Sequence, residues 1–238
     1  MNIQDLIIKD KDQVLLQDVF LSDKNREQID QLIKEHKYLE DLKSYGLPVS
    51  NKVLLYGHSG CGKTTTAKAI ANSLGKPLII LNLSNVINSR IGETSQNVKQ
   101  VFDRAARDKG VLFLDEFDQL GKARGDDDND VGEMRRLVNS IIQQIDYLPD
   151  DVLLICATNH IDIIDSALIR RFQFRIQYEM PSNEALNQYY DSLLARFPEE
   201  LHPKSRRYGI SYAEAKDSLF AVVKSNLIKK LDMKGRFL

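Results

Sequence analysis

The chain has 238 residues, a length that suits one large domain or one domain with a small appendage. Apolar residues make up 42% of it and charged residues 28%, which is typical of a globular protein. The formal net charge of −1 argues against a broad basic field directed at nucleic acid or an anionic membrane. The start of the chain carries acidic residues and an apolar run of only residues 6–8, which argues against a secretory signal. No apolar stretch approaches the roughly 20 residues that a membrane span needs, so we expect a cytoplasmic protein without membrane contact.

Short apolar runs alternate along the chain with segments in which apolar residues recur at helical spacing. Apolar runs bounded by turn residues predict buried strands, and recurrence at every third or fourth position predicts amphipathic helices. The strands are predicted at residues 53–56, 78–83, 111–114, 152–156 and 174–178. The helices are predicted at residues 24–45, 64–74, 98–105, 134–145, 164–171, 185–194 and 219–231.

This alternation predicts an α/β fold of three layers, in which a five-stranded parallel sheet is covered by helices on both faces. After Pro181 no further strand is predicted, and the two remaining helices indicate a short helical lid. We therefore expect an amino-terminal linker or helical segment over residues 1–50, an α/β domain over residues 51–180 and a small helical domain over residues 181–238.

A glycine-rich turn lies between the first predicted strand and the helix that follows it. The turn fits the pattern G-x-x-x-x-G-K-[ST], the P-loop or Walker A motif, in which backbone N–H groups and the amino end of the helix bind phosphates. Lys63 is expected to reach the β- and γ-phosphates of ATP, and the Thr64 hydroxyl to bind Mg²⁺. The predicted nucleotide-binding residues here are Gly57, His58, Ser59, Gly60, Cys61, Gly62, Lys63, Thr64 and Thr65.

The chain has two cysteines, and we expect both to be free thiols. Cys61 lies inside the glycine-rich turn, where the positive end of a helix can activate a thiol. It is therefore either a redox switch or a small residue that fits a tight loop. Cys156 lies on an apolar strand and is expected in the core.

The third predicted strand ends in two acidic residues, Asp115 and Glu116. In open α/β sheets, ligands bind at the carboxyl ends of the strands. Together with the P-loop upstream, the pair is typical of a Walker B motif, so Asp115 is predicted to hold Mg²⁺ with Thr64. Glu116 is predicted to orient and deprotonate the attacking water. The chemistry that these motifs predict is hydrolysis of the β–γ phosphoanhydride bond of ATP.

The fourth predicted strand is followed by Asn159, and the short helix after it ends in Arg170 and Arg171. This arrangement resembles the second region of homology in the AAA clade of the AAA+ ATPases, in particular that of small stand-alone bacterial members. The resemblance implies that Asn159 is a sensor that positions the attacking water near the γ-phosphate. It also implies that both arginines are fingers acting on the ATP of a neighbouring subunit, in a homo-oligomer for which a hexamer is favoured.

Two shorter segments extend the resemblance, which covers roughly residues 15 to 230. Residues 16–19 resemble the family's amino-terminal segment, whose backbone holds the adenine, and this assigns Asp18 and Val19 to the nucleotide. Residues 209–214 resemble the lid segment whose small residue packs near the adenosine, and this assigns Ala213 to the same ligand.

The chain departs from the family pattern in its P-loop, at Arg90 and in its short lid, which we expect to leave no room for a separate substrate-recruiting domain. His58 and Ser59 replace the usual proline pair of the P-loop, which leaves the phosphate chemistry intact. Arg90 occupies the position at which family unfoldases carry an aromatic residue that grips substrate polypeptide in a central pore. The acidic run at residues 126–130 lies where the family has its second pore loop, and it either meets basic substrate segments or forms a solvated tip.

The resemblance implies an oligomeric ATPase that remodels a protein substrate or effector. The alternative is a regulatory switch that does not thread polypeptide and that controls a separately encoded effector, such as a subtilisin-like protease. Arg90 and the expected lack of a substrate-recruiting domain favour this alternative. A DNA-associated loader is a further alternative, although the sequence shows no clear nucleic-acid site. A small-molecule kinase is disfavoured because it would not need two arginines after a Thr-Asn sensor.

Overall fold

The computed structural model describes residues 7–8, 13–87, 91–122 and 131–235. Arg90 and the acidic run at 126–130 lie outside the described residues. The chain divides into two compact units. The first is Met1–Gly57 with Lys63–Gln177, and the second is His58–Gly62 with Tyr178–Leu238.

Strands and helices alternate through most of the chain, as the sequence predicts. The strands in the described part are β1 (Ile7–Ile8), β2 (Lys52–Gly57), β3 (Leu78–Asn82), β4 (Val111–Asp115), β5 (Leu153–Thr158) and β6 (Phe174–Tyr178). The helices there are α1 (Asp23–Lys37), α2 (Leu39–Ser44), α3 (Lys63–Leu74), α4 (Leu83–Ile87), α5 (Ile91–Arg107), α6 (Gln119–Lys122), α7 (Val131–Asp146), α8 (Ser166–Ile169), α9 (Asn183–Leu194) and α10 (Tyr212–Gly235). Three 3-10 turns are formed by Leu16–Asp18, Ile161–Ile163 and Glu199–Leu201.

The sheet has the strand order β1-β3-β4-β5-β2-β6. Strands β2 to β6 confirm the predicted five-stranded parallel sheet with its helices. The sixth strand, β1, was not predicted, and it pairs with β3 in the antiparallel direction. Two residues are too few to show the alternation by which a strand is recognised in a sequence.

The central strands are buried on both faces, which explains why the sequence shows them as continuous apolar runs. Val111, Leu112, Phe113 and Leu114 of β4 have no solvent exposure. Helices α5 and α7 pack against each other beside the sheet and add their apolar faces to the same core. Each fully buried Leu or Ile side chain contributes about 2 kcal/mol to folding.

Some helix boundaries differ from those that periodicity predicts. The predicted helix over residues 24–45 consists of α1 and α2, because Tyr38 between them leaves helical geometry with φ −103° and ψ 26°. Helix α1 begins after Ser22, whose hydroxyl accepts a hydrogen bond from the Asn25 N–H at 3.3 Å. The short helices α4 and α6 were missed because periodicity cannot identify a helix of one turn.

The described part of the chain after Tyr178 contains helices and one 3-10 turn. Helix α9 begins after Ser182, whose hydroxyl accepts a hydrogen bond from the Ala185 N–H at 3.2 Å. Helices α9 and α10 pack on each other around a separate apolar core. This core contains Leu186, Tyr190, Leu193, Leu194, Leu201, Ala215, Leu219 and Val223. Among the described residues, no helix has both the length and the apolar character that a membrane crossing requires.

Candidate functional site

The carboxyl ends of neighbouring strands in the first unit carry most of the residues to which the sequence assigns chemistry. Strand β4 ends at Asp115, β5 at Thr158 and β2 at Gly57. The register places Asn82 opposite Asp115 and Tyr56 opposite Thr158. The strand ends are therefore level, and they form the edge at which open α/β sheets bind ligands.

Lys63 and Thr64 open helix α3 beside this edge. The Lys63 side chain is buried, and its Nζ donates a hydrogen bond to the Gly57 carbonyl oxygen at 2.8 Å. The Thr64 Oγ1 donates to Asp115 Oδ2 at 3.4 Å, which is long for a hydroxyl–carboxylate bond. The two oxygens therefore face each other with little mutual stabilisation. Thr65, the next residue, is exposed.

Asp115 is a partly buried carboxyl whose side chain faces the Thr64 hydroxyl. Burial raises its pKa above the ordinary value of 3.8, and the nearby Glu116 charge raises that pKa further. Hydrogen bonds from the Glu116 N–H and Thr64, and the charge of Lys63, act in the opposite direction. Mg²⁺ prefers oxygen ligands and is commonly held by one or two carboxylates. The hydroxyl of Thr64 and the carboxylate of Asp115 therefore fit the predicted metal ion.

Glu116 has a backbone conformation that is rare for a residue with a side chain. Its φ of +57° lies in the left-handed region, which costs about 1 to 3 kcal/mol and is enriched at active sites. The surroundings hold it there: its N–H donates to Asp115 Oδ1 at 2.9 Å, and the next N–H, of Phe117, donates to the Ala157 carbonyl oxygen at 2.8 Å.

Ser84 is a part of this site that the sequence analysis missed. It lies in α4, directly after β3, and its hydroxyl donates a hydrogen bond to Glu116 Oε2. The bond engages one oxygen of the predicted base. The only signal in the sequence was the position of Ser84 two residues beyond a strand that neighbours the one ending in Asp115.

The end of β5 is organised around a second carboxylate, Asp118. The Thr158 Oγ1 donates to Asp118 Oδ1 at 2.8 Å, and both side chains are buried. The same Thr158 oxygen accepts a hydrogen bond from the His160 N–H at 2.9 Å. These bonds hold the backbone on either side of Asn159, whose own side chain is exposed. The sequence analysis did not identify Asp118 or the role of Thr158.

The two arginines after α8 have different surroundings. Arg171 donates from Nε and Nη2 to the two carboxylate oxygens of Asp146, at 2.6 and 3.0 Å, and this hydrogen bonding raises its pKa. Arg170 is exposed, and no residue that the structure describes engages its guanidinium. Phe172, the next residue, is buried edge-on against Phe117 with ring centroids 5.4 Å apart. The segment that carries the arginines is thereby anchored next to the residue that follows Glu116.

Loop residues 58–62 belong to the second unit, where they contact the start of α10. The Ala213 N–H donates to the Gly60 carbonyl oxygen at 3.1 Å, and the His58 N–H donates to the Tyr178 carbonyl oxygen at 3.0 Å. Gly60 has φ +71°, and a side chain there would come within 2.6 Å of the Ser211 hydroxyl. Only glycine therefore fits this position without displacement.

Both cysteines are buried thiols, as the sequence predicts for Cys156. Cys61 is 2% exposed, with its sulfur 3.6 Å from the Ser59 carbonyl oxygen, which favours the interpretation as a small residue in a tight loop. Gly62 has φ +100°. Cys156 is buried, and burial raises its pKa well above the usual value.

Asp18 and Val19 lie at a 3-10 turn that packs against α3. The turn uses both backbone N–H groups: Asp18 donates to Leu15 at 3.0 Å and Val19 to Leu16 at 3.2 Å. The Val19 carbonyl oxygen accepts a bond from Arg26 Nη2 at 2.8 Å. The assignment of these residues to adenine stays a prediction.

The chain matches a known protein family over more than half of its length. The family model described as ATPase family associated with various cellular activities (AAA) matches residues 53–180. That range begins in β2 and includes Lys63, Thr64, Asp115, Glu116 and Asn159.

Individual proteins are also similar to the chain. The uncharacterized AAA family ATPase y4kL of Sinorhizobium fredii is 33% identical over 90% of the chain and 65% of its own length. The putative ribosome biogenesis ATPase nvl of Dictyostelium discoideum is 34% identical over 75% of the chain, which corresponds to 21% of that protein. The chain thus spans less than two thirds of either relative. The crystal structure of the FIGL-1 AAA domain has the same fold, with a TM-score of 0.69 at 23% identity, over 82% of the chain and 64% of that domain.

Proposed function

Because the chain belongs to the AAA family of ATPases, we propose that it binds ATP with Mg²⁺ and hydrolyses it within a homo-oligomer, and that it uses this cycle to remodel or regulate a protein partner. The observation that carries the proposal is the convergence of the Thr64 and Asp115 oxygens at the end of β4, directly before the strained Glu116. Residues with a purely structural role would not need a carboxyl whose pKa is raised by burial directly before a residue in the left-handed backbone conformation.

The P-loop residues bind the phosphates of ATP in this proposal. Backbone N–H groups of residues 58–62 and the amino end of α3 bind the phosphates, and Lys63 exchanges its bond to the Gly57 carbonyl oxygen for phosphate oxygens. Thr64 and Asp115 hold Mg²⁺, which neutralises negative charge on the phosphates when bound. Asp18, Val19 and Ala213 are proposed to contact the adenosine, in line with the family resemblance.

Glu116 and Asn159 act on the attacking water. The Glu116 carboxylate accepts a proton from the water as general base, and the exposed Asn159 amide orients that water. Their side chains follow neighbouring strands, β4 and β5, so both can serve one water molecule at the same sheet edge. The Thr158–Asp118 bond keeps the Asn159 backbone in place for this task.

We assign different roles to the two arginines, which the sequence could not distinguish. Arg170 is exposed and its guanidinium is not engaged by the described residues, so it can reach the ATP of a neighbouring subunit as the finger. Arg171 is already bound to Asp146 through two hydrogen bonds, and it therefore positions the segment. A hexameric ring is the assembly that we favour.

The regulatory-switch alternative is supported by the hydrogen bond from Ser84 to Glu116. This bond occupies one of the two carboxylate oxygens of the proposed base. Hydrolysis would then be slow until that bond is broken. Slow hydrolysis is what a timed switch needs if it controls a separately encoded effector, such as a protease. In both versions the partner is a protein, the site of action is the cytoplasm, and nucleic acid is not required.

The test of the proposed chemistry uses Glu116→Gln and Lys63→Ala. Glu116→Gln keeps the predicted metal site but loses the base, so it should bind ATP and hydrolyse it about 10²-fold more slowly or worse. Lys63→Ala should lose ATP binding, measured by calorimetry. The exposed Glu40 provides a matched control, since Glu40→Gln should change neither quantity. Turnover at the wild-type rate in Glu116→Gln would contradict the assignment of the base.

Mixing experiments test whether Arg170 acts across a subunit interface. Arg170→Ala protein and Glu116→Gln protein are each expected to be inactive, but a mixture should recover activity because some interfaces pair an intact base with an intact arginine. Arg171→Ala should not complement in this way and should instead lower stability by less than about 1 kcal/mol, as partly exposed ion pairs do. Mixtures that never exceed the sum of their components, while subunits demonstrably exchange, would contradict action in trans.

A further inference from the structure

The second unit contains a groove that the proposed ATPase chemistry does not use. One wall is the segment at residues 200–205, which begins within the Glu199–Leu201 turn, and the other wall is helix α10. The groove has a volume of about 570 Å³, within the range of sites that bind ligands in proteins. All of its lining residues belong to the second unit.

The two walls are tied together, so the groove is a fixed feature of this unit. The Asn226 side-chain amide on α10 donates to the Leu201 carbonyl oxygen at 3.1 Å. Lys230, one turn further along, forms an ion pair with Glu200. Leu201 itself is 6% exposed and lies in the core of the unit together with Val223. Both walls therefore rest on the same buried cluster.

The open part of the groove combines apolar surface with positive charge. Val222 and Met233 line it and are 39% and 61% exposed, and their spacing with Asn226 and Lys229 places all four on one face of α10. Lys204 lies on the opposite wall. Neither Lys204 nor Lys229 has a carboxylate partner among the residues that the structure describes, whereas Lys230 is neutralised by Glu200.

We propose that this groove docks a segment of a partner polypeptide in which an apolar side chain is flanked by carboxylates. The apolar side chain covers Val222 and Met233, and the carboxylates meet Lys204 and Lys229, one on each wall. Charge complementarity of this kind selects the partner and speeds its association. The inference rests on the proposed function in that it takes the partner of the ATPase to be a protein.

The same features disfavour a nucleic acid in the groove. Single-stranded nucleic acid binds where basic residues alternate with aromatic rings on which bases stack. None of the described residues that line the groove is Phe, Tyr or Trp, and Glu200 places a carboxylate among the lining residues. Val222 and Met233 would also stay uncovered beside a phosphate backbone.

The test selects phage-displayed random peptides against the full chain without nucleotide, so the result does not depend on ATP hydrolysis. We expect the wild type to enrich peptides that contain Asp or Glu next to Leu, Ile, Val or Met. Lys204→Glu/Lys229→Glu should bind a peptide so selected about tenfold more weakly, measured by fluorescence polarisation. Lys224 is the matched control, since it is exposed on the same helix but does not line the groove. Lys224→Glu should bind the peptide as the wild type does.

The outcomes distinguish this inference from the proposed function. Peptide enrichment without acidic residues, or equal binding by Lys204→Glu/Lys229→Glu and the wild type, overturns the inference even if the protein hydrolyses ATP. If single-stranded DNA with the same net charge as the peptide displaces the peptide, the inference is overturned and the groove is a site for polyanions in general. Selective binding in a protein that fails to hydrolyse ATP leaves the groove assigned and rejects the ATPase proposal instead.

Discussion

The ends of the neighbouring strands β4 and β5 are built in opposite ways, although both place a carboxylate beside a threonine hydroxyl. At the end of β5, Thr158 and Asp118 are joined at 2.8 Å, and the same hydroxyl accepts a backbone N–H. At the end of β4, Thr64 and Asp115 are 3.4 Å apart, burial raises the pKa of Asp115, and the next residue is left-handed. The first pair is joined by a short hydrogen bond between buried groups, whereas the second pair is joined by a long one between partly buried groups.

We interpret this difference as a separation of structural support from the proposed function at one sheet edge. A satisfied buried pair stabilises the fold and keeps a loop in place. Burial disfavours the charge of Asp115, which reduces stability, and we propose that the carboxylate persists because a bound ligand compensates it. The comparison therefore predicts that substitutions at β4 change activity without lowering stability, whereas substitutions at β5 lower stability.

The largest effect is expected for Asp115→Asn. Loss of a metal-binding carboxylate should slow ATP hydrolysis about 10²-fold or more. Unfolding in the absence of nucleotide should not become easier, because the substitution removes a charge that burial disfavours. Turnover assays and urea titrations measure the two quantities. Asp103→Asn, at an exposed position on α5, is the matched control and should change neither.

The pH dependence of this variant follows from the direction of the Asp115 shift. Because its pKa is raised in the folded state, the folded protein binds more protons than the unfolded one between the ordinary value of 3.8 and the raised value. The contribution of Asp115 to stability therefore becomes less favourable as the pH rises through this window. Any stability advantage of Asp115→Asn should shrink when the pH is lowered, and an advantage that grows on acidification would contradict this account.

The next largest effect is expected for Thr158→Val. The substitution keeps the shape of the side chain but removes the donor to Asp118 and the acceptor for the His160 N–H. Leaving buried polar groups without these bonds should lower the free energy of unfolding by about 2 kcal/mol. Thr158→Ser, which retains the hydroxyl, should recover most of that loss. If both variants unfold like the wild type, the β5 end is not the supporting region that the comparison requires.

The sequence predicted the residues of the site that are close together in a motif. Residues 57–64 could be assigned because a strand, a glycine-rich turn and a helix follow each other directly, and Asp115 because an apolar strand precedes it. Ser84 and Asp118 could not be found in this way, because the contacts that define them join residues 32 and 40 positions apart. Nothing in the sequence near Ser84 indicates that it meets Glu116.

The same limit applies to the two arginines and to the edge of the sheet. Arg170 and Arg171 are chemically identical in the sequence, and only the position of Asp146, 25 residues earlier, distinguishes them. Strand β1 forms because it pairs with β3. This pairing depends on the edge of the sheet and cannot be recognised in a run of two residues. The five parallel strands were predictable because a strand that is buried on both faces appears in the sequence as a continuous run of apolar residues.

The smallest effect is expected for Ser84→Ala. Removal of the hydroxyl frees one oxygen of Glu116 to accept a hydrogen bond from the attacking water. If the bond holds about 1 kcal/mol of stabilisation in the resting state, basal ATP hydrolysis should rise about fivefold. Asn85, an exposed residue of the same helix, serves as control through Asn85→Ala. A lower rate in Ser84→Ala would mean that the serine aligns Glu116 productively and does not restrain it.

The central claim is that the Thr64–Asp115 pair at the end of β4 is a metal site completed by nucleotide, and thermal unfolding with ADP tests it most directly. In the wild type, ADP with Mg²⁺ should raise the midpoint temperature of unfolding further than ADP alone does, because a ligand that binds only the folded state stabilises that state. Thr158→Ser should show the same increment. Asp115→Asn should respond to ADP and show no additional increment with Mg²⁺. A full Mg²⁺ increment in Asp115→Asn would contradict the claim.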